Sequence, residues 1–96
     1  MLMSTDETTC LKVSFSGRVQ GVGFRWTTKK MAHAFAVTGY VKNMMDGSVE
    51  LVVEGEPSEA QRFLSSMRRH MAEYVESCEV TELSTSKRHL HFTITY

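Results

Sequence analysis

The chain has 96 residues, balances 11 basic against 11 acidic side chains, and is 42% hydrophobic and 23% charged. These figures fit one compact domain and exclude collagen-like, low-complexity and wholly disordered chains. No apolar run approaches the roughly 18 residues of a membrane span, and the polar opening from Met1 to Thr9 has neither the basic start nor the apolar stretch of a signal peptide.

In chain order, Met1 to Thr9 is expected to be a flexible tail, followed by a single domain over residues 10–96. Leu11-Lys12-Val13-Ser14-Phe15-Ser16 alternates strictly, which predicts a half-buried strand with Leu11, Val13 and Phe15 facing the core. Glycines cluster next, at Gly17, Gly21 and Gly23. From about Phe24 to Phe35 the positions Phe24, Thr28, Met31 and Phe35 recur three or four apart, which predicts a helix broken by Val37-Thr38-Gly39. Tyr40 to Met44 reads as a second strand. Asp46-Gly47 is a tight-turn dipeptide, and Val49, Leu51 and Val53 alternate with Glu50, Val52 and Glu54 in a third strand paired to the second.

Pro57 suits the first turn of a second helix, where its missing N–H has no intrahelical role. Glu56 and Glu59 suit the positive end of that helix's dipole. Ala60, Phe63, Leu64, Met67 and Met71 form its buried stripe. Ser77 to Leu83 is a fourth strand with Cys78 and Val80 on one face, Ser84 to Arg88 a turn, and Leu90, Phe92, Ile94 and Tyr96 alternate along a last strand. The order is the ferredoxin-like βαββαβ pattern with an appended fifth strand. It is an α+β sandwich with two helices on one face of a mainly antiparallel sheet. In that topology the first and fourth strands are antiparallel neighbours. Cys10 and Cys78 then lie at opposite ends, beyond the ~4.4–6.8 Å between Cα atoms that a disulfide needs, and both are read as free thiols. With no signal peptide, a cytoplasmic location is the expectation.

The zero net charge hides an asymmetry. Between Thr8 and Met45 stand six basic residues (Lys12, Arg18, Arg25, Lys29, Lys30 and Lys42) and no acid. Between Asp46 and Glu82 nine acids face three arginines. This hints at a local anion site in the first half and at nothing more specific.

The segment Gly17-Arg18-Val19-Gln20-Gly21-Val22-Gly23-Phe24-Arg25 joins a strand to a helix start. Glycines let backbone approach a ligand closely, and N–H groups at a helix start lack intrahelical partners and can converge on one anion. The spacing is neither the dinucleotide fingerprint nor Walker A. Arg25 can offer a planar fork to phosphate oxygens. Taken alone, a glycine-rich turn with a surface arginine is the plainer reading. Asn43, in Gly39-Tyr40-Val41-Lys42-Asn43, can both donate and accept, which suits positioning a water; capping a turn is its plainer role.

Together these two segments resemble the acylphosphatase family. G-R-V-Q-G-V-G-F-R is close to the family's first signature, and G-Y-V-K-N followed by D-G-S-V-E-L is similar to the second signature and its hairpin. The resemblance runs from about Leu11 to Glu56 and more weakly to Tyr96, where F-T-I-T-Y is similar to the closing strand. It implies hydrolysis of the carboxyl–phosphate bond of acyl phosphates, without cofactor or metal. Arg25 would bind the phosphoryl group and Asn43 would orient the attacking water. Val19, Gln20, Gly21, Val22, Gly23 and Phe24 would form the backbone cradle. The implied ligands are a small acyl phosphate and, as product or competitor, inorganic phosphate or sulfate. A monomer without nucleic-acid or membrane partners is expected. Met44 departs from the small polar residue frequent after that asparagine.

Other residues carry plainer readings. His89 and His91 lie two apart and would share an exposed edge-strand face more readily than a metal. Trp26 is read as packing against the first helix rather than shielding the site. Two other function classes compete. An RNA-binding ferredoxin-like module would present aromatic residues on its central strands, whereas the third strand carries two glutamates and no aromatic. A phosphate-sensing domain without turnover would need no Asn43.

Overall fold

A computed structural model describes residues 8–83 and 89–96. Its order is β1 (Thr9–Gly17), α1 (Phe24–Ala32), β2 (Val37–Asn43), β3 (Val49–Gly55), α2 (Pro57–His70), β4 (Val75–Leu83) and β5 (Phe92–Thr95). The strands form one sheet in the order β4-β1-β3-β2-β5. All pairings are antiparallel except β2 with β5. This is the expected ferredoxin-like α+β fold, with the fifth strand added beside β2. No helix among the described residues is long and apolar enough to cross a membrane.

Period-two alternation decides which side chains enter the core. Leu11, Val13 and Phe15 of β1 and Val49, Leu51 and Val53 of β3 are buried against the helices, as are Val41 and Phe92. From the helices come Phe24 and Ala32 on one side and Ala60, Phe63, Leu64 and Met67 on the other, with Met71 just beyond. Phe63 joins the two halves, its ring centroid 5.6 Å from that of Phe35 and 5.8 Å from that of Phe92. Truncating a buried phenylalanine of this kind costs about 3–5 kcal/mol. Thr28 is polar yet fully buried, because its Oγ1 donates to the Phe24 carbonyl 2.7 Å away within the helix.

Several boundaries differ from those expected. Thr9, at the end of the expected tail, already pairs with Gly55 in β1; residues 1–7 lie outside the described residues, as does the expected turn Ser84 to Arg88. The α-helical ladder of α1 stops at Ala32, and residues 33–36 form turns while Phe35 still packs on the core. Gly39 does not end a helix but lies inside β2, where a Cβ would overlap the carbonyl oxygen of Val52. Only glycine allows that strand contact.

β5 begins at Phe92, so His89 and His91 do not share a strand face. His89 instead caps a carboxylate buried in the sheet. Its N–H donates to Glu54 Oε1 at 3.0 Å, and its Nδ1 lies 3.1 Å from the same oxygen. Cys10 pairs with Leu83 and Phe15 with Cys78, which sets the two thiols at opposite ends of the β1–β4 ladder; neither forms a disulfide. Burial pushes the Cys78 thiol above its ordinary pKa.

Candidate active site

Chain direction brings the two conspicuous segments together. β1 runs into the loop of residues 18–23 and α1 starts at its end. β2 lies beyond β3 from β1 and is parallel to β1, since each is antiparallel to β3, so Asn43 finishes at the same end of the sheet. A cavity of about 250 Å³ opens there, lined by Val19, Gly21, Gly23, Arg25 and Asn43 among others.

The loop turns because Gly21 and Gly23 adopt φ of 81° and 77°. Neither has any neighbour within 4 Å of where a Cβ would stand, so conformation rather than crowding calls for glycine. Gly23 is the N-cap of α1 and supplies no side-chain cap, and the helix's first turn holds no acid. Among the described residues the hydrogen-bond ladder begins only at Thr27, whose N–H donates to Gly23 O at 2.9 Å. The N–H groups from Val19 to Trp26 are therefore left to the cavity side or to solvent. Oriented donors at the positive end of a helix dipole form an anion site.

Val19 is buried outright and anchors the loop in the core. Gln20 anchors it sideways. Its Nε2 donates to the carbonyl oxygens of Met44 at 2.8 Å and Ser48 at 2.9 Å, tying the loop to the hairpin that follows Asn43. The side chain of Gln20 thus serves as a brace, leaving only its backbone for a cradle. The hairpin is also held internally. Met44 N–H donates to Ser48 O, and the Ser48 hydroxyl and N–H both donate to Asp46 Oδ1. Those bonds from Ser48 hold the Asp46 carboxyl below its ordinary pKa.

Arg25 is half-buried, with its guanidinium carbon 4.8 Å from the ring centroid of Tyr96. A stacked arginine keeps its five donors in plane for another ligand. Asn43 shows a complementary feature: its Oδ1 is buried and has no hydrogen-bond partner among the described residues. A turn-capping amide would be bonded, so capping does not account for it.

Of the residues singled out in the sequence, Val19, Gly21, Gly23, Phe24, Arg25 and Asn43 line one cavity, while Gln20 and Val22 stand in the loop without lining it. Trp26, expected to pack on the helix, instead lines the cavity and is 62% exposed. Ile94 and Tyr96 of the last strand and chain end line it too. Their two-residue alternation was visible, but their position depends on the parallel pairing that sets Val41 opposite Ile94. Among the described residues no group of three or more His, Cys, Asp or Glu side chains is arranged to hold a metal ion.

Comparison with known proteins points one way. The acylphosphatase family model matches residues 11–94. An acylphosphatase of Lactobacillus gasseri is 36% identical over 92 residues, spanning 94% of this chain and 99% of that protein. One of Thermotoga petrophila is 40% identical over 86 residues, spanning 90% and 96%. The solved acylphosphatase of Bacillus subtilis superposes with a TM-score of 0.82 at 32% identity, over 92% of this chain and 99% of that one.

Proposed function

The chain belongs to the acylphosphatase family, and from that premise we propose which residues carry the reaction. The enzyme is a hydrolase of acyl phosphates. In our reading, the backbone N–H groups of Val19, Gln20, Gly21, Val22, Gly23 and Phe24, together with Arg25, hold the phosphoryl oxygens. Asn43 holds a water, with Oδ1 accepting a hydrogen bond from it.

The water oxygen forms a bond to phosphorus as the bond from phosphorus to the carboxyl oxygen breaks. The electron pair of that bond leaves with the carboxylate. The proton lost by the water passes to a phosphoryl oxygen, giving inorganic phosphate. A carboxylate is a good leaving group, so no side chain need protonate it. The task left to the protein is placement and charge stabilisation, which dominates phosphoryl transfer in general.

One observation carries the reading: the buried Asn43 Oδ1, without a hydrogen-bond partner among the described residues, shares a cavity with Arg25 and with Val19, Gly21 and Gly23 of the loop. We also take the protein to be a cytoplasmic monomer, bound by inorganic phosphate or sulfate at the same site, with no nucleic-acid or membrane partner. Two cysteines that form no disulfide suit a reducing compartment.

Phosphate release from acetyl phosphate tests the assignment. Arg25→Ala and Asn43→Ala should each lower kcat/KM by roughly 10²–10³, the usual worth of one preorganised group. Inhibition by inorganic phosphate should weaken in Arg25→Ala and persist in Asn43→Ala. Near-wild-type turnover in either folded variant would overturn the roles.

A further inference from the structure

We propose that Glu54 and His89 set the register in which β5 docks, and so position Ile94 and Tyr96 beside Arg25. The two are positioning residues, and Glu54 lies at the far end of the β2–β3 ladder from Asn43. The proposal deepens the hydrolase reading above and rests on the role that reading gives to Arg25.

β5 is an edge strand of four residues that bonds to β2 alone. Its register places Phe92 opposite Gly39 and Ile94 opposite Val41, which leaves the Tyr96 ring against the Arg25 guanidinium. The apolar alternation does not select that register. Leu90, Phe92, Ile94 and Tyr96 stand two apart, so a slip of two residues presents the same kind of face to the core. Leu90, 82% exposed, would then take the place of Phe92 against Phe63 and gain burial. Tyr96 is itself exposed and would lose little. The slip would carry Tyr96 roughly 6–7 Å past Arg25, at about 3.3 Å per residue.

A specific contact has to separate the two registers, and the chain entering β5 makes one. Glu54, only 1% exposed, lies between Cys10 of β1 and Thr38 of β2, and points away from the helices because its neighbour Val53 points toward them. A carboxylate so buried needs donors. His89 brings them: its N–H donates to Oε1 at 3.0 Å, and its Nδ1 lies 3.1 Å from the same oxygen. The ring of Tyr40, 5.6 Å away between centroids, flanks the imidazole. Two residues on, the Gly39 N–H donates to the His91 carbonyl at 3.0 Å. In a slipped strand His89 would leave Glu54 by the same 6–7 Å, and the carboxylate would lose those bonds inside the protein. The pair therefore penalises the competing register. A buried ion pair adds little net stability over an apolar replacement, and fixing register is its best-attested use.

Glu54→Met/His89→Leu replaces the pair by apolar side chains, so the urea midpoint should stay near or above that of wild type. Binding of inorganic phosphate, read by calorimetry, should weaken about tenfold, and KM for acetyl phosphate should rise by about the same factor. Adding Leu90→Lys should restore both to within about threefold, because a lysine does not take the core place of Phe92. A role in stability alone would show no such rescue. By NMR, Phe63 should touch Phe92 in wild type and Leu90 in the double variant.

Phosphate affinity within about twofold of wild type in the double variant overturns the proposal. So does a loss that Leu90→Lys leaves in place. If the double variant does not fold, His89→Leu with and without Leu90→Lys makes the same comparison. If phosphate binding follows the expected pattern while wild type fails to hydrolyse acetyl phosphate, the hydrolase roles fail and the register pin stands.

Discussion

The fold contains two strand-to-helix connections, and they treat the helix start in opposite ways. Between β3 and α2 a single residue, Glu56, intervenes before Pro57 at the first helical turn. Between β1 and α1 the chain spends residues 18–23. Neither helix has a side-chain N-cap. At α2 the proline removes one donor and Glu59 supplies negative charge to the first turn. At α1 no acid stands in the first turn, two left-handed glycines turn the chain, and Arg25 adds positive charge. The same architectural joint is neutralised in one half and left electrostatically open in the other. Fold symmetry therefore says little about where chemistry resides; the charge and length of the joint do.

The largest way to break this contrast is to close the open joint. Gly23→Ala places a Cβ at φ of 77°, where nothing crowds it, so the cost is conformational. Stability should fall by about 1–2 kcal/mol. If the loop relaxes to relieve that strain, the N–H groups turn away from the cavity and kcat/KM for acetyl phosphate should drop by roughly 10². Chemical denaturation and steady-state kinetics read the two effects separately.

A smaller effect is expected from loosening the brace rather than the loop itself. Gln20→Ala removes two hydrogen bonds to the hairpin, a loss of about 1–3 kcal/mol. Turnover should fall by roughly tenfold, less than for Asn43→Ala, because Asn43 is still present but no longer held in register with the loop. An unaltered kcat/KM with lowered stability would show that the brace serves folding alone.

The smallest change is at the neutralised joint. Glu59 Oε1 accepts the Ala36 N–H at 3.0 Å, which lowers the Glu59 pKa, with Arg62 contributing further. The stabilisation from a depressed carboxylate is present above its unfolded pKa and is lost as pH falls through its folded value. Glu59→Gln should therefore lower the urea midpoint slightly at neutral pH and flatten its decline in acid. Hydrolysis at neutral pH should stay as in wild type.

How far the sequence discloses these features follows from how local their causes are. Strands β1 and β3 and the stripe of α2 are legible because alternation and helical spacing report burial residue by residue. The end of α1 is less so: Phe35 keeps the helical rhythm and packs half-buried against Phe63, although after Ala32 the α-helical ladder gives way to i→i−3 turns. Periodicity registers packing and cannot see the ladder. Arg25, Asn43 and the glycines stand out as motifs. The partners of Gln20 lie 24 and 28 residues away, and Glu54 meets His89 across 35 residues. No local pattern encodes those meetings. Trp26 misled for a related reason. A tryptophan on a short amphipathic helix is ordinarily core, and only the cavity beside it makes an exposed ring sensible.

The parallel pairing of β5 with β2 sets the time at which the site is finished. Gly39 meets Phe92 and Lys42 meets Thr95, contacts that close most of the chain into a loop. Such non-local pairing forms slowly, since loop-closure entropy is lost before any contact repays it. The glycine loop, α1 and Asn43 can gather early around β1 and β3, whereas Ile94 and Tyr96 join the cavity only when the last strand docks. During synthesis, a chain still held at its C-terminal end would carry the loop, α1 and Asn43 before Ile94 and Tyr96 completed the cavity wall.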